Sequence, residues 1–382
     1  MGANTKIEWT NSSWNPIRAR NRVAQVGDPG WRTGLPGGKT GWHCEHVSEG
    51  CRNCYAESMN RRLGTGLDFK PGHRADVEIF LDEKMLLAPL RWKKPRRIFV
   101  NSMTDTFAAF VKDEWIDRMF AVMALASQHT FQVLTKRPER MPEYCNHPDV
   151  VTRVKAAIES HGNSLGPDTE DFEFFASIGW QSRLEPCESN CLPPCECVTD
   201  ADDKRIRLCN YDGPAEGLLR SKCYGRVRFD GPLQWPLPNV WLGVSAEDQA
   251  TADERIPLLL QTPAAVRFVS LEPLLGPIDL FHIKEVTGLT FNALSRKEGI
   301  SFRGAGLDWV IVGGESGPHA RPLHPRWARD LRDQCAAAGV PFFFKQWGQH
   351  RPPTENDLVW RSLGKKAAGR LLDGIEHNGM PA

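Results

Sequence analysis

The chain alternates between short runs of β-branched and aromatic residues and longer segments whose apolar positions recur every three to four residues. The short runs are "KIEWT" (6–10), "RIFVNS" (97–102), "FQVLTK" (131–136), "VWLGVS" (240–245), "VRFVSLE" (266–272), "WVIVGGE" (309–315) and "PFFFKQW" (341–347). They are almost continuously apolar, as strands are when both faces of a parallel sheet are covered. Helical periodicity is clear over 112–128, where Trp115, Met119, Met123 and Leu125 favour one side. It is equally clear over 325–339, which Pro325 opens and Gly339 closes. Repeated strand–helix units predict an α/β fold, a partial or full (β/α) TIM-like barrel, rather than an open doubly wound sheet.

The rhythm breaks in three places. Residues 160–238 hold Pro, Gly and six cysteines but few long apolar runs, and so predict a Cys-rich inserted subdomain between a first barrel part (1–159) and a second (239–350). Residues 281–305 alternate enough to form a hairpin within the second part. The polar segment 351–382 reads as a peripheral tail.

Polar residues cluster where the strands end: "NSMTD" (101–105), "TKRPER" (135–140), "SAEDQ" (245–249), "SLEP" (270–273), "GGESG" (313–317) and "KQWG" (345–348). A barrel gathers such ends on its C-terminal face, where sites are built in that fold. By strand position Asn101, Ser102, Thr135, Lys136, Ser245, Glu247, Glu272, Glu315 and Lys345 are candidates for cofactor or substrate contacts. The competing reading makes Ser245, Asp105 and Ser316 helix caps and pairs Glu272 with Lys345 inside the mouth.

Composition narrows the class. The sequence is 41% hydrophobic and 25% charged, as in an ordinary globular protein. Its 48 basic against 47 acidic residues exclude a global field that would draw it to nucleic acid or membrane. The chain has no bilayer-length apolar run and starts without the apolar core of a secretion signal, so a cytoplasmic protein without membrane partners is expected. Basic runs with aromatics, "RARNR" (18–22) and "RWKKPRR" (91–97), keep nucleic acid as a candidate substrate.

Eleven cysteines, odd in number and clustered, favour metal binding over cross-linking. Cys44, Cys51 and Cys54 fall in a loop before "CYAESMNRRLG" (54–64), a helix that Asn53 can cap. Three thiolates are one short of a closed zinc site or a fully ligated [4Fe–4S] cluster, and the missing ligand would leave one iron open to S-adenosylmethionine. A zinc completed by His43 or His46, a zinc with an open position, and three unrelated buried thiols are the rival readings. Cys187, Cys191, Cys195, Cys197, Cys209 and Cys223 form a second set whose spacing suits a structural zinc or a second iron–sulfur cluster on a subset of them, with reduced or disulfide-linked cysteines as the remaining alternative. Cys145 and Cys335, at helical spacing, read as core.

Several blocks carry a family resemblance: "KIEWTNSSWNP" (6–16), "SEGCRNCYAE" (48–57), "IFVNSMTDTF" (98–107), "VLTKRPERM" (133–141), "NVWLGVSAEDQATADERIPLLL" (239–260), "VRFVSLEPLLGPIDL" (266–280), "LDWVIVGGESGPHARPLHPRWARDLRDQC" (307–335) and "GVPFFFKQWG" (339–348). They resemble the phage and prophage three-cysteine-motif proteins of unknown function. That motif is similar to the radical S-adenosylmethionine signature. The resemblance implies a [4Fe–4S] cluster on Cys44, Cys51 and Cys54, an electron donor, and a methyltransferase-like partner protein. Six residues separate the first two cysteines, against three in that signature, and Tyr55 follows the third. Asn101 and Ser102 stand where the signature enzymes have glycine-glycine-glutamate, so "GGES" at 313–316 is not that motif by position.

The expectation is a radical S-adenosylmethionine-type enzyme that generates a 5′-deoxyadenosyl radical. The alternative from another class is a zinc-stabilised nucleic-acid-binding or scaffold protein without radical chemistry.

Overall fold

The computed structural model describes residues 5, 7–22, 38–164, 182–185, 226–229, 232–297, 302, 304–353 and 359–381, with 162–164, 182–185 and 226–229 described by backbone alone. Seven strands form its main sheet: β1 (Ser12–Trp14), β2 (Arg97–Val100), β3 (Thr130–Thr135), β4 (Val240–Ser245), β5 (Val266–Leu271), β6 (Trp309–Gly313) and β7 (Phe342–Gln346). They pair in sequence order and all in parallel. The sheet curls into a half-barrel whose edges β1 and β7 do not pair with each other, so the barrel is partial.

Local chemistry explains the elements. The helices α1 (Tyr55–Leu63), α2 (Asp113–Leu125), α3 (Gln249–Leu260) and α4 (Pro325–Ala338) stand between strands. A capping box opens α3, with Asp248 accepting from the Thr251 N–H at 2.9 Å and the Asp248 N–H donating to Thr251 Oγ1 at 3.1 Å. The cap is Asp248, not Ser245. Pro325 starts α4 and Gly339 ends it at φ 69°, a left-handed turn that suits glycine. Met119, Met123, Ile256, Leu331 and Cys335 are buried on the inner sides of these helices.

Inside the half-barrel, alternate strand residues Phe99, Trp241, Phe268, Trp309, Ile311 and Phe343 pack around Trp9. The Trp9 ring lies 4.8 Å from Phe99 and edge-on to Trp309 at 6.2 Å. This use of Trp9 corrects the first expected strand. Residues 6–10 alternate like a strand because Ile7 and Trp9 plug the barrel, whereas the chain turns at Glu8 and Trp9 and pairing begins at Ser12 opposite Ile98.

The last residues run into the fold rather than along its periphery. Asn378 bridges Phe343 on the free edge of β7, the Trp309 indole N–H donates to the Gly379 carbonyl at 2.7 Å, and Met380 packs on the aromatic interior. Lys365 reaches Glu8 at 2.8 Å, which ties this C-terminal segment to the residues before β1. Deleting residues 376–382 is expected to lower the unfolding free energy by about 2–4 kcal/mol, because the buried Trp309 N–H loses its acceptor and the interior loses Met380. Chemical denaturation checks this; an unchanged midpoint would mean that the tail does not close the seam.

Between β3 and β4 the chain makes a long excursion. Residues Val151–Leu233 form a separate unit. It carries most of helix Val150–Ser164 and an antiparallel pair, Ser182–Glu185 with Arg226–Phe229. The Trp235 indole N–H donates to the Cys145 carbonyl at 3.0 Å, while β3 and β4 pair directly. The second cysteine set, Cys187, Cys191, Cys195, Cys197, Cys209 and Cys223, lies outside the described residues. The expected hairpin contains the antiparallel pair Ile283–Lys284 and Thr290–Phe291. No helix among the described residues is long and apolar enough to cross a membrane.

Candidate functional site

The C-terminal ends of the strands surround a cavity of about 250 Å³. Ile7, Trp9, Phe99 and Leu134 supply apolar walls, and Cys44, Cys51 and Cys54 line the same cavity. Of the strand-end candidates, Asn101, Ser102, Thr135, Lys136, Ser245, Glu272, Glu315 and Lys345 line it too. Glu247 does not. Its carboxylate is 1% exposed behind the wall, where it takes Lys136 Nζ at 2.6 Å, the Ser48 hydroxyl at 2.8 Å and Arg255 Nη1 at 3.2 Å. Burial alone would raise its pKa; Lys136, Arg255 and the Lys136 and Ser48 hydrogen bonds outweigh that and hold it below the usual carboxylate value.

Four strand ends hold the cysteine loop. At β2, Thr104 donates to the His43 carbonyl at 2.6 Å and Tyr55 donates to the Ser102 carbonyl at 2.7 Å. At β3, Arg137 Nη2 donates to the Glu45 carbonyl at 2.6 Å. Beyond β4, Glu247 holds Ser48, and Gly50 is required beside it because a Cβ there would meet Glu247 Oε1 at 2.1 Å. After β6, Glu315 accepts from Asn53 Nδ2 at 3.0 Å and from Arg321 at 2.6 Å and 2.9 Å, while Arg321 also donates to the Glu49 carbonyl at 2.9 Å. Burial pushes the Glu315 pKa up, but these bonds more than offset it and leave it lowered.

This arrangement revises two sequence expectations. Asn53 does not cap α1; the N-cap is Cys54, without a side-chain cap, and Asn53 spans to Glu315 instead. The glycines of "GGES" serve close packing within the protein. A Cβ at Gly313 would meet Glu272 Oε1 at 2.3 Å, and one at Gly314 the Trp347 carbonyl at 2.0 Å. Glu272 pairs with Lys345 at 3.0 Å and accepts from the Ser270 hydroxyl at 3.0 Å.

Asn101 differs from its neighbours. It is 2% exposed and sits in the left-handed region at φ 51°, a strain of about 1–3 kcal/mol for a residue other than glycine. Its amide Nδ2 donates to Thr106 at 2.9 Å, and its Oδ1 has no hydrogen-bond partner in the structure.

Burial pushes the Cys44 thiol up to about 12 despite the nearby Arg137, and the charges of Asp105, Cys54 and Cys51 add to the rise. Burial raises the Cys54 thiol as well. Cys44, Cys51, Cys54, Cys145 and Cys335 are free thiols. Cys145 and Cys335 are core residues whose burial pushes each to about 12. The two loop histidines have other partners: His43 packs on Phe110 at 5.2 Å, and His46 Nε2 lies 2.7 Å from Glu57. Among the described residues, no three His, Cys, Asp or Glu side chains converge on one metal-ion position.

Arginines of the basic segments lie over aromatic rings of the protein itself. Arg18 lies over Trp42 at 4.7 Å, Arg20 over Phe80 at 4.9 Å and Arg96 over Trp92 at 4.7 Å.

Sequence reasoning missed Ser48, Asn53, Asp105, Arg137 and Arg321 as members of the site. Asp105 and Arg137 stand inside polar strand ends already singled out, so their position was the available signal. Arg321 lies on a connection with no periodic cue.

No curated protein and no solved structure matches the chain. A family model, described as "Protein of unknown function (DUF5131)", matches residues 39–381, which take in the cysteine loop, every strand from β2 to β7 and the closing tail. The chain belongs to that family.

Proposed function

We propose that this chain is a radical S-adenosylmethionine-type enzyme, in which Cys44, Cys51 and Cys54 hold a [4Fe–4S] cluster with one iron left for the cofactor. The observation that carries this reading is the convergence of all three thiols on a cavity that strand-end polar residues also line. The donor set fits the group. Three cysteines that line one cavity are one ligand short of a closed site, which suits a group that keeps an open position. A cluster takes one thiolate on each of several irons. Cys44, Cys51 and Cys54 would hold the cluster, which, given one electron from a donor, would supply reductive cleavage of S-adenosylmethionine and the radical chemistry that follows from it.

The chain's own residues then have separable tasks. Trp9, Phe99 and Leu134 keep water from the cavity's apolar walls. Lys136, held on Ser245 and Glu247, and Lys345, held on Glu272, present fixed cations to a bound molecule. The unpartnered Asn101 Oδ1 is an acceptor for a ligand N–H or O–H. Reduction requires an electron donor. Nucleic acid and a methyltransferase-like protein remain candidate substrate and partner, and the cytoplasm the expected setting.

Anaerobic reconstitution with iron and sulfide tests the reading. The expected product is brown protein with a broad iron–sulfur absorption that, once reduced, yields 5′-deoxyadenosine and methionine from S-adenosylmethionine. Protein that stays colourless and holds only zinc would overturn it in favour of a zinc-stabilised binding or scaffold protein.

A further inference from the structure

Arg137 leaves the end of β3 and turns toward the cysteine loop instead of solvent, with its side chain 14% exposed. Nη2 is committed to the Glu45 carbonyl, one residue past Cys44. Nη1 lies 3.9 Å from Cys44 Sγ and 3.5 Å from Asp105 Oδ2. Asp105 is fixed in turn, accepting from the Thr135 hydroxyl at 2.8 Å, the Phe107 N–H at 2.9 Å and the Lys136 N–H at 3.0 Å. A cation and an anion are therefore both held beside one of the three thiols. A lysine could not match this arrangement, because it lacks the planar fork that divides two nitrogens between a carbonyl and a sulfur.

We propose that Arg137 is a positioning residue that eases reduction of the cluster bound through Cys44, with Asp105 as its counterweight. The proposal rests on the functional reading above. Reduction adds one negative charge at the cluster. A fixed cation near a ligand sulfur favours the reduced state and a fixed anion opposes it, and partial burial protects both effects from screening. Removing Arg137 or Asp105 must then move the potential in opposite directions, whereas general loosening of the loop would not reverse sign.

The test is an anaerobic redox titration followed by electron paramagnetic resonance on reconstituted full-length protein. It compares Arg137→Gln, Arg137→Lys and Asp105→Asn with the parent at equal iron content. Arg137→Gln is expected to disfavour reduction about tenfold, a downward shift of about 59 mV for one electron. Asp105→Asn should shift the potential upward, and Arg137→Lys should recover part of the loss. Unmoved potentials, or shifts of the same sign in Arg137→Gln and Asp105→Asn, would overturn the proposal. So would weaker S-adenosylmethionine binding in Arg137→Gln at an unchanged potential, which would make Arg137 a cofactor contact. If Asp105→Asn does not fold, the comparison of Arg137→Gln with Arg137→Lys decides. A parent protein that takes up no cluster would instead refute the functional reading, and this proposal with it.

Discussion

Glu247→Ala is expected to lower the unfolding free energy by about 3–5 kcal/mol, the scale at which breaking a buried ion pair leaves a charge uncompensated. Glu247 is the shared partner of Lys136, Arg255 and Ser48, and the Arg255 side chain is only 2% exposed. Arg255 Nη1 keeps the Ser245 carbonyl at 2.7 Å but loses its counter-charge. Urea denaturation of the full chain measures the loss, and a change within the noise of a surface substitution would show that the network carries no stability. Glu247→Gln keeps the shape and should cost less.

The charge also has a pH signature. The folded pKa of Glu247 is depressed below its ordinary value of 4.5. Its contribution is therefore present above that value and is lost as pH falls through the depressed one. The stability difference between the parent and Glu247→Gln should shrink below pH 4.5. A difference that widens on acidification would contradict the assignment.

Cys51→Ala should abolish cluster binding and, with it, cleavage of S-adenosylmethionine. The loop histidines are engaged elsewhere, His43 edge-on to Phe110 and His46 paired with Glu57. Iron content per chain, the electron paramagnetic resonance signal and 5′-deoxyadenosine formation report the loss. Cys145→Ala is the control and should leave all three unchanged, because its thiol is buried in the helical core. Retained cofactor cleavage in Cys51→Ala would remove Cys51 from the ligand set.

Much of the barrel was legible in the sequence because parallel strands buried on both faces leave long apolar runs, as at 266–272 and 309–315. The first strand was misplaced for a physical reason: Ile7 and Trp9 alternate as a strand does, yet they are a plug. The ring of strand-end residues is legible from position alone, and Lys136, Glu272 and Lys345 line the cavity. What position could not reveal was which residues face the cavity and which brace it. Glu247 and Asn53 look like contacts or caps in one dimension, and only the fold brings Ser48 and Glu315 beside them. The polar tail is anchored through backbone carbonyls and one methionine, which polarity along the sequence does not reveal.

The meeting of Trp235 with Cys145 bears on how this protein could change. The chain departs and rejoins at one spot, and β3 already has β4 as its neighbour, so the sheet's connectivity makes no demand on what fills the interval. Residues 151–233 are a separate unit between two strands that pair without them. Their length and composition could diverge while the half-barrel frame and its cysteine loop stay under separate constraint.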